Sequence, residues 1–327
     1  MKTPLCTTLG IDLPIMQAAI GGISCPALAA AVSNAGGLGA IAMTGYGADG
    51  VTDLMHQMQD LTSAPFVGNL LLSFDIEDEF RALLRNPPKV FSFFWGDITS
   101  FVQPVHDAGA LVMASVGSIE EAGRAVEAGA DIIVAQGWEA GGHVRGTTAT
   151  LPLIPQVVDA VAPVPVVAAG GIADGRGLAA VLCLGAQAAW MGTRFLSAEE
   201  AAIHPHYRNR VLNAETKDTF LTTVFDRNWP DAPGRVLYND LLAAWEAAGR
   251  PDGAARPRAA DIIATTADNQ SVHAYEAQTM HAGLTGEIEA GPLWAGQSVG
   301  LVERTEPAAK IIETLVNEAQ DALSLSE

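Results

Sequence analysis

The apolar positions of residues 13–196 repeat one theme along the chain. A short run of β-branched or other apolar residues is followed by glycine or polar residues, and then by an Ala- and Leu-rich amphipathic stretch. This alternation of strand and helix patterns is typical of parallel βα units. It predicts eight strands, near residues 14–17, 38–44, 66–72, 89–95, 110–116, 131–137, 164–170 and 188–192.

Helices are predicted between these strands, for example over residues 26–35, 119–127 and 175–184. Pro26 falls in the first turn of one helix, and Ser118 precedes another as its N-cap. Eight parallel strands with intervening helices predict an α/β protein with a (βα)8 TIM barrel. The active site of such a barrel lies at the carboxyl ends of the strands.

The pattern changes after Leu196, where residues 204–210, 228–234 and 249–257 interrupt mainly helical segments. Residues 306–323 read as one amphipathic helix that returns to the outer ring of the barrel. We therefore predict a TIM barrel made of residues 1–202 plus 305–327. A smaller, mainly helical domain of residues 203–304, the cap segment, is predicted to cover the barrel mouth.

Composition and charge restrict the class of protein. The chain has 18 basic and 37 acidic side chains and a formal charge of −19, which argues against a nucleic-acid or anionic-membrane partner. Cys6, Cys25 and Cys183 form no CxxC pair, so we expect no disulfide framework and a reducing compartment. Neither an export leader nor a long apolar run is recognisable, so we expect a cytoplasmic protein.

The predicted strand ends carry neutral hydrogen-bonding residues and glycines. They are Gln17, Thr44, Asn69, Trp95, Ser115, Gln136, Gly170 with Gly171, and Gly192 with Thr193. No lysine is available there for a Schiff base, and no carboxylate or histidine cluster for a metal, so no metal site is predicted. Such a mouth suits a flat heterocycle held by amides, hydroxyls and backbone groups.

Glycines follow the seventh and eighth strands, at Gly170, Gly171 and Gly192. They either let backbone N–H groups approach a phosphate or only permit tight turns. Arg194 either supports a phosphate or pairs with Asp174. The GxGxxG match in residues 45–50 is interpreted as a plain turn, because a series of eight βα units does not offer the Rossmann strand order.

Residues 136–143, Gln-Gly-Trp-Glu-Ala-Gly-Gly-His, place an imidazole on a glycine-rich loop at the barrel mouth. His143 there can take a proton from a carbon acid or offset the charge of an anion, or else bond only to its own loop. Glu139 either orients His143 or is a surface charge. His204 and His206 flank Pro205, where capping is favoured over metal binding.

Together these motifs resemble the nitronate monooxygenases, which are FMN-dependent TIM-barrel oxidoreductases. The likeness includes Pro-Ile-Met-Gln at residues 14–17, the 136–143 segment, Ala-Ala-Gly-Gly-Ile-Ala-Asp-Gly-Arg at residues 168–176, and later segments around Trp229 and Trp294. It implies FMN as cofactor, His143 as the catalytic histidine, and phosphate binding by Gly171, Gly192 and Thr193. The resemblance also implies that Met16, Gln17, Asn69 and Gln136 contact the isoalloxazine or ribityl portion and that Ser115 occupies a flavin-side position. Gly142 and Gly170 are implied as further cofactor-binding residues.

The resemblance also implies the reaction, the oxidation of an alkyl nitronate by O2 to a carbonyl compound and nitrite. A protonated His143 would neutralise an anionic nitronate, whereas an unprotonated His143 would act as base on a neutral nitroalkane. The fourth strand ends in Phe-Phe-Trp-Gly-Asp where the family usually has Phe-Gly-x-Pro, so Trp95 and Asp97 are expected to reshape the pocket.

Two other functions remain open from the sequence. An NAD(P)H-dependent flavin reductase for quinones or enoyl thioesters would share the same phosphate-binding glycines. A flavin-free barrel that binds a phosphorylated metabolite is a rival of another class. The sequence leaves a homodimer open as well.

Overall fold

The computed structural model describes residues 1–324 and contains an eight-stranded parallel barrel. Its strands are β1 Ile15–Gln17, β2 Gly39–Ala42, β3 Phe66–Leu71, β4 Val90–Phe94, β5 Leu111–Val116, β6 Ile132–Gln136, β8 Val166–Ala169 and β9 Ala188–Met191. They are ordered β1-β9-β8-β6-β5-β4-β3-β2. The remaining gap is bridged where the Gln17 N–H donates to the Leu38 carbonyl at 3.0 Å. All eight predicted strands and the barrel are thus confirmed.

Helices surround the barrel as the sequence predicts. They are α1 Pro4–Leu9, α2 Pro26–Asn34, α3 Gly47–Leu61, α4 Glu77–Arg85, α5 Thr99–Asp107, α6 Ile119–Ala128, α7 Thr150–Val161, α8 Gly175–Cys183 and, near the end of the chain, α11 Ala308–Ser324. Pro26 stands in the first turn of α2, and the Ser118 hydroxyl accepts from the Glu121 N–H at 3.2 Å to cap α6. Both predicted helix starts are confirmed.

The barrel interior is a packed apolar core, because successive strand residues point alternately inward and outward. Met16, Val67 and Val134 are fully or almost fully buried members of the inner cluster. The same cluster includes Leu5 and Leu9 of α1, so this short helix closes the amino-terminal end of the barrel. Solvent therefore reaches the barrel mainly from the opposite, carboxyl-terminal end.

The cap segment is more mixed than the mainly helical domain expected from sequence. Two helices, α9 Pro205–Leu212 and α10 Asp240–Ala247, are joined by five short strands, β10 Thr219–Thr222, β11 Gly234–Leu237, β12 Ile262–Thr265, β13 Ser271–His273 and β14 Thr285–Gly286. Strands of two to four residues are too short to show a period of two in sequence.

The division at residues 203–304 stays a prediction. Val236, Leu293 and Val299 of the cap segment belong to the same buried cluster as the outer side of the barrel strands, so the two parts share a core. The last three residues of the predicted segment 305–327 lie outside the described residues.

Candidate active site

A cavity of about 830 Å³ opens at the carboxyl ends of the barrel strands, and we call it the main cavity. Its volume is typical of small-molecule and cofactor sites. Nine of the predicted site residues line it: Asn69, Ser115, Gln136, Gly142, His143, Gly170, Gly171, Gly192 and Thr193. The barrel therefore brings together side chains and glycines from strands β3, β5, β6, β8 and β9.

Met16 and Gln17 do not line the main cavity, in contrast to what the resemblance implies. Both side chains are fully buried. The Gln17 carboxamide accepts from the Ala40 N–H at 2.9 Å and donates to the Ser24 hydroxyl at 2.8 Å. Because these hydrogen bonds use its carboxamide inside the barrel wall, Gln17 stabilises the wall and does not contact the main cavity.

Gln136 lines the main cavity, but its carboxamide holds the following loop. Its Nε2 donates to the His143 carbonyl at 2.9 Å, and its Oε1 accepts from the Arg145 N–H at 3.0 Å. Gly142–His143 forms the short strand β7, which pairs antiparallel with β11, His143 opposite Gly234. His143 is thus held by the barrel on one side and by the cap segment on the other.

Glu139 takes neither of the two roles considered from sequence. Its carboxylate accepts from the Thr150 N–H at 2.9 Å. The Thr150 hydroxyl lies 3.1 Å from this carboxylate and 2.9 Å from the Gly170 carbonyl, and these two acceptors share its one proton. Glu139 therefore caps the first turn of α7 and ties the β6 loop to the end of β8.

Three tryptophan side chains surround the imidazole of His143. Its ring centroid lies 3.9 Å from that of Trp229, 4.8 Å from that of Trp294 and 5.9 Å from that of Trp95. Its Nε2 is buried and has no hydrogen-bond partner in residues 1–324. Burial lowers the pKa of His143 from its ordinary value of 6.5 to about 4, so the imidazole is neutral at pH 7.

Trp229 and Trp294 are site residues that the sequence reasoning missed. Both lie more than eighty residues beyond His143, in segments that only the family resemblance singles out. The other tryptophans near the barrel mouth, Trp95, Trp138 and Trp190, differ in their surroundings. Trp190 lines the main cavity, Trp95 lines a neighbouring cavity, and Trp138 lies under the Arg235 guanidinium with 4.4 Å from its carbon to the ring centroid.

The glycines after β8 and β9 offer free backbone donors to the main cavity. Gly171 has a φ of +74°, which turns the chain sharply. In the described part of the chain the N–H groups of Gly171 and Gly192 have no protein acceptor. Thr193 beside them accepts from the Gly296 N–H at 2.9 Å. An anionic group fits here, since unpaired N–H groups in such a turn bind anions.

The N-terminus of α8 is already neutralised by carboxylates of the chain. The Gly177 N–H donates to Asp174, and the Gly175 N–H donates to Glu318, each at 2.8 Å. The first N–H groups of α8 are therefore not available to a phosphate. The N–H groups of Gly171 and Gly192 remain available to bind one.

Three open questions from the sequence are answered by ion pairs and caps. Arg194 pairs with Glu306 at 3.2 Å, whereas Asp174 pairs with Arg176, so Arg194 neither binds Asp174 nor lines the main cavity. The GxGxxG match is a plain turn, because the Glu79 carboxylate accepts from the Gly45 and Gly47 N–H groups. His204 caps α9 by accepting from the His206 N–H at 3.1 Å.

The electrostatics of the main cavity are close to neutral. Its lining residues include the two histidines His143 and His281 and one carboxylate, Asp268, and no lysine or arginine lines it within residues 1–324. His281 stands at the mouth, where its Nδ1 accepts from the Gly283 N–H at 3.1 Å. Nowhere in residues 1–324 do three His, Cys, Asp or Glu side chains meet as metal ligands.

No helix within residues 1–324 has both the length and the apolar composition to span a bilayer.

Comparison with known proteins adds a family and several relatives. A family model described as nitronate monooxygenase matches residues 2–81 and 77–318. The (3aS,4S,5R,7aS)-5-hydroxy-7a-methyl-1-oxo-octahydro-1H-indene-4-carboxyl-CoA dehydrogenase of Mycobacterium tuberculosis is 32% identical, with 98% of this chain and 96% of the relative covered.

Two solved structures extend the likeness to the whole fold. FabK from Thermotoga maritima has a TM-score of 0.86 at 30% identity, with 99% of this chain and 98% of that chain covered. A nitroalkane oxidase from Streptomyces ansochromogenes has a TM-score of 0.80 at 29% identity, with 98% and 100% covered.

Proposed function

The chain belongs to the nitronate monooxygenase family, and from this premise we propose that it is an FMN-dependent oxidoreductase that oxidises neutral nitroalkanes. The carbon next to the nitro group becomes a carbonyl and nitrogen leaves as nitrite. In the overall balance two nitroalkane molecules and one dioxygen molecule give two carbonyl compounds, two nitrite ions and two protons, so dioxygen supplies the two carbonyl oxygens. FMN, when bound, supplies the acceptor for the substrate's electrons.

The main cavity supports FMN as the cofactor. The N–H groups of Gly171 and Gly192 suit its phosphate, because they lack protein acceptors. Asn69, Ser115 and Trp190 suit the ribityl chain and ring system, since they bring polar groups and a flat apolar surface to the lining of the main cavity. The volume of about 830 Å³ leaves room for a small substrate beside the cofactor.

One observation carries the choice of a neutral substrate, the neutral state of His143. The imidazole lies among three indole rings, and its pKa is lowered to about 4. An incoming nitronate would meet no positive charge, because no lysine or arginine lines the main cavity within residues 1–324. A neutral nitroalkane enters without that electrostatic cost.

His143 is then the general base. Its free lone pair accepts the proton from the carbon beside the nitro group, which creates an imidazolium and a nitronate side by side. In a site of low dielectric constant these opposite charges attract strongly, and this attraction offsets the cost of charging a buried imidazole. Gln136 and strand β11 keep the imidazole in place during the transfer.

The reductase alternative keeps one supporting observation. A similar relative is named a carboxyl-CoA dehydrogenase, and thioester substrates also carry an acidic carbon next to a carbonyl. A neutral base in an uncharged cavity suits that chemistry too. The substrate, not the fold, therefore distinguishes the two functions.

An anaerobic spectrum of the FMN-loaded protein tests the proposal. Nitroethane, preformed ethyl nitronate, NADH and NADPH are added to separate samples, and the visible flavin absorbance is followed. Bleaching by nitroethane supports the proposal, and nitrite must then form after air is admitted. Bleaching by a nicotinamide alone transfers the assignment to the reductase class. A protein that does not bind FMN excludes both functions.

A further inference from the structure

A second cavity of about 650 Å³ lies next to the main cavity, and we call it the side cavity. Ser115 lines both, so the two spaces meet at the carboxyl end of β5. Its lining combines the apolar side chains of Phe93, Ala114 and Val116 with five charged side chains, those of Asp97, Glu121, Arg124, Glu127 and Arg145. The space is large enough for an alkyl chain, which would lie along the apolar residues.

Trp95 stands between the two cavities. Its side chain lines the side cavity, and its ring centroid is 5.9 Å from that of His143 and 5.4 Å from that of Trp229, which both line the main cavity. The Arg145 guanidinium carbon lies 5.1 Å from the centroid of the indole, and Arg145 also pairs with Glu121 at 2.8 Å. The indole therefore lies beside His143 and lines the side cavity at the same time.

The backbone at Trp95 is strained in order to hold this position. Its φ is +68°, in the left-handed region, which is a true outlier for a bulky residue. The Trp95 carbonyl accepts from the Ser73 hydroxyl at 3.2 Å, and a side chain at the next residue, Gly96, would clash with Leu72. Strained residues of this kind cluster at functional sites.

We propose that Trp95 limits the length of the substrate chain by closing the passage between the main cavity and the side cavity. Short alkyl substrates fit entirely within the main cavity. Longer chains require the space that the indole fills. The inference rests on the proposed function only in taking His143 as the reacting end, since closure of the passage is a property of the cavities themselves.

The test compares the native protein with Trp95→Gly, which suits a φ of +68° and removes the indole. The probes are straight-chain 1-alkanols of increasing length, whose binding to the FMN-loaded protein is measured by titration calorimetry. Native binding is expected to stop improving once the main cavity is full. In Trp95→Gly each further methylene group that enters the side cavity strengthens binding by about fourfold.

Trp95→Phe is the matched control, because it keeps an aromatic ring and the strained backbone, and its length profile is expected to stay native. Trp95→Ala replaces the glycine variant if that protein does not fold. Equal length profiles in native protein and in the glycine or alanine variant overturn the inference. Because alkanol binding needs no turnover, the proposed function can fail while this inference stands, and nitrite formation from nitroalkanes tests that function separately.

Discussion

The imidazole of His143 lies against the indole of Trp229, with ring centroids 3.9 Å apart and ring planes inclined by 32°. This contact joins a residue after the sixth barrel strand to a loop of the cap segment. Water is displaced from one face of the imidazole, which is the physical cause of its lowered pKa. The protonation state of the proposed base is therefore set by a residue far away in the chain.

Replacement of His143 by asparagine separates the two substrate forms. His143→Asn removes the base, so kcat/KM for nitroethane is expected to fall by about 10²- to 10⁴-fold. Ethyl nitronate needs no proton removal, and its kcat/KM is expected to stay within about tenfold of native. Oxygen consumption with each substrate measures both values. Equal losses for the two substrates would contradict the assignment of His143 as base.

The free energy of unfolding is expected to fall as the pH decreases below 6.5. At these pH values His143 binds a proton in the unfolded chain but stays unprotonated in the native state. With a pKa of about 4 in the native state, His143 contributes a loss of about 1.4 kcal/mol between pH 7.5 and pH 5.5. Both pH values lie above the isoelectric point of about 4.6, so the protein keeps a net negative charge throughout the experiment.

Urea unfolding of native protein and of His143→Gln at the two pH values isolates this contribution from those of the other histidines. The native protein is expected to lose about 1.4 kcal/mol more than the variant. Identical pH dependence in both proteins would show that His143 titrates normally.

Removal of the Trp229 indole is expected to hydrate His143 and raise its pKa towards the ordinary value. In Trp229→Leu the acid limb of the kcat/KM profile for nitroethane then moves to higher pH. Titration of the His143 ring by NMR gives the same pKa without turnover. Trp245→Leu is the control, because Trp245 donates to the Pro251 carbonyl in the cap segment and lies outside the main cavity. An unshifted His143 titration in Trp229→Leu would refute the desolvation argument.

Gly192 offers a clean probe of the phosphate end. An alanine Cβ there would have only ordinary contacts, 3.6 Å from Ala18, and its φ of −98° suits any residue. Gly192→Ala is therefore expected to fold with native stability but to bind FMN at least about tenfold more weakly, because the methyl group obstructs the approach to the backbone N–H. Quenching of FMN fluorescence measures the affinity.

The matched control is Gly123→Ala in helix α6, where a Cβ meets nothing within 4 Å. Its FMN affinity is expected to be native, and its stability slightly higher because alanine favours helix. Native FMN affinity in Gly192→Ala would place the phosphate elsewhere.

The barrel was predictable because each βα unit shows its own local period. Strands such as Leu111–Val116 are bounded by glycine or polar residues, and Ser118 is the N-cap of the helix that follows. Most of the site follows from this register, since the carboxyl ends of parallel strands must meet at one end of the barrel. The positions of Asn69, Ser115 and Gln136 along the main cavity are consequences of that rule.

The remaining features depend on contacts between distant residues, which carry no local signal. Gln17 ends a strand as predicted, yet its side chain turns into the wall because Ala40 and Ser24 offer partners there. The Glu139 carboxylate accepts a hydrogen bond from Thr150 rather than from His143. Arg194 forms an ion pair with Glu306, more than a hundred residues away in the sequence. In each case several partners were chemically adequate, and only the packed structure selects one.

The pairing of β7 with β11 also affects how the protein folds. Residues 142–143 and 234–235 are far apart in the sequence, so their hydrogen bonds close a long loop and carry its entropic cost. Contacts of this kind tend to form late, after local βα units. During synthesis on the ribosome, His143 would therefore be held only from the barrel side, through Gln136, until β11 has emerged and docked.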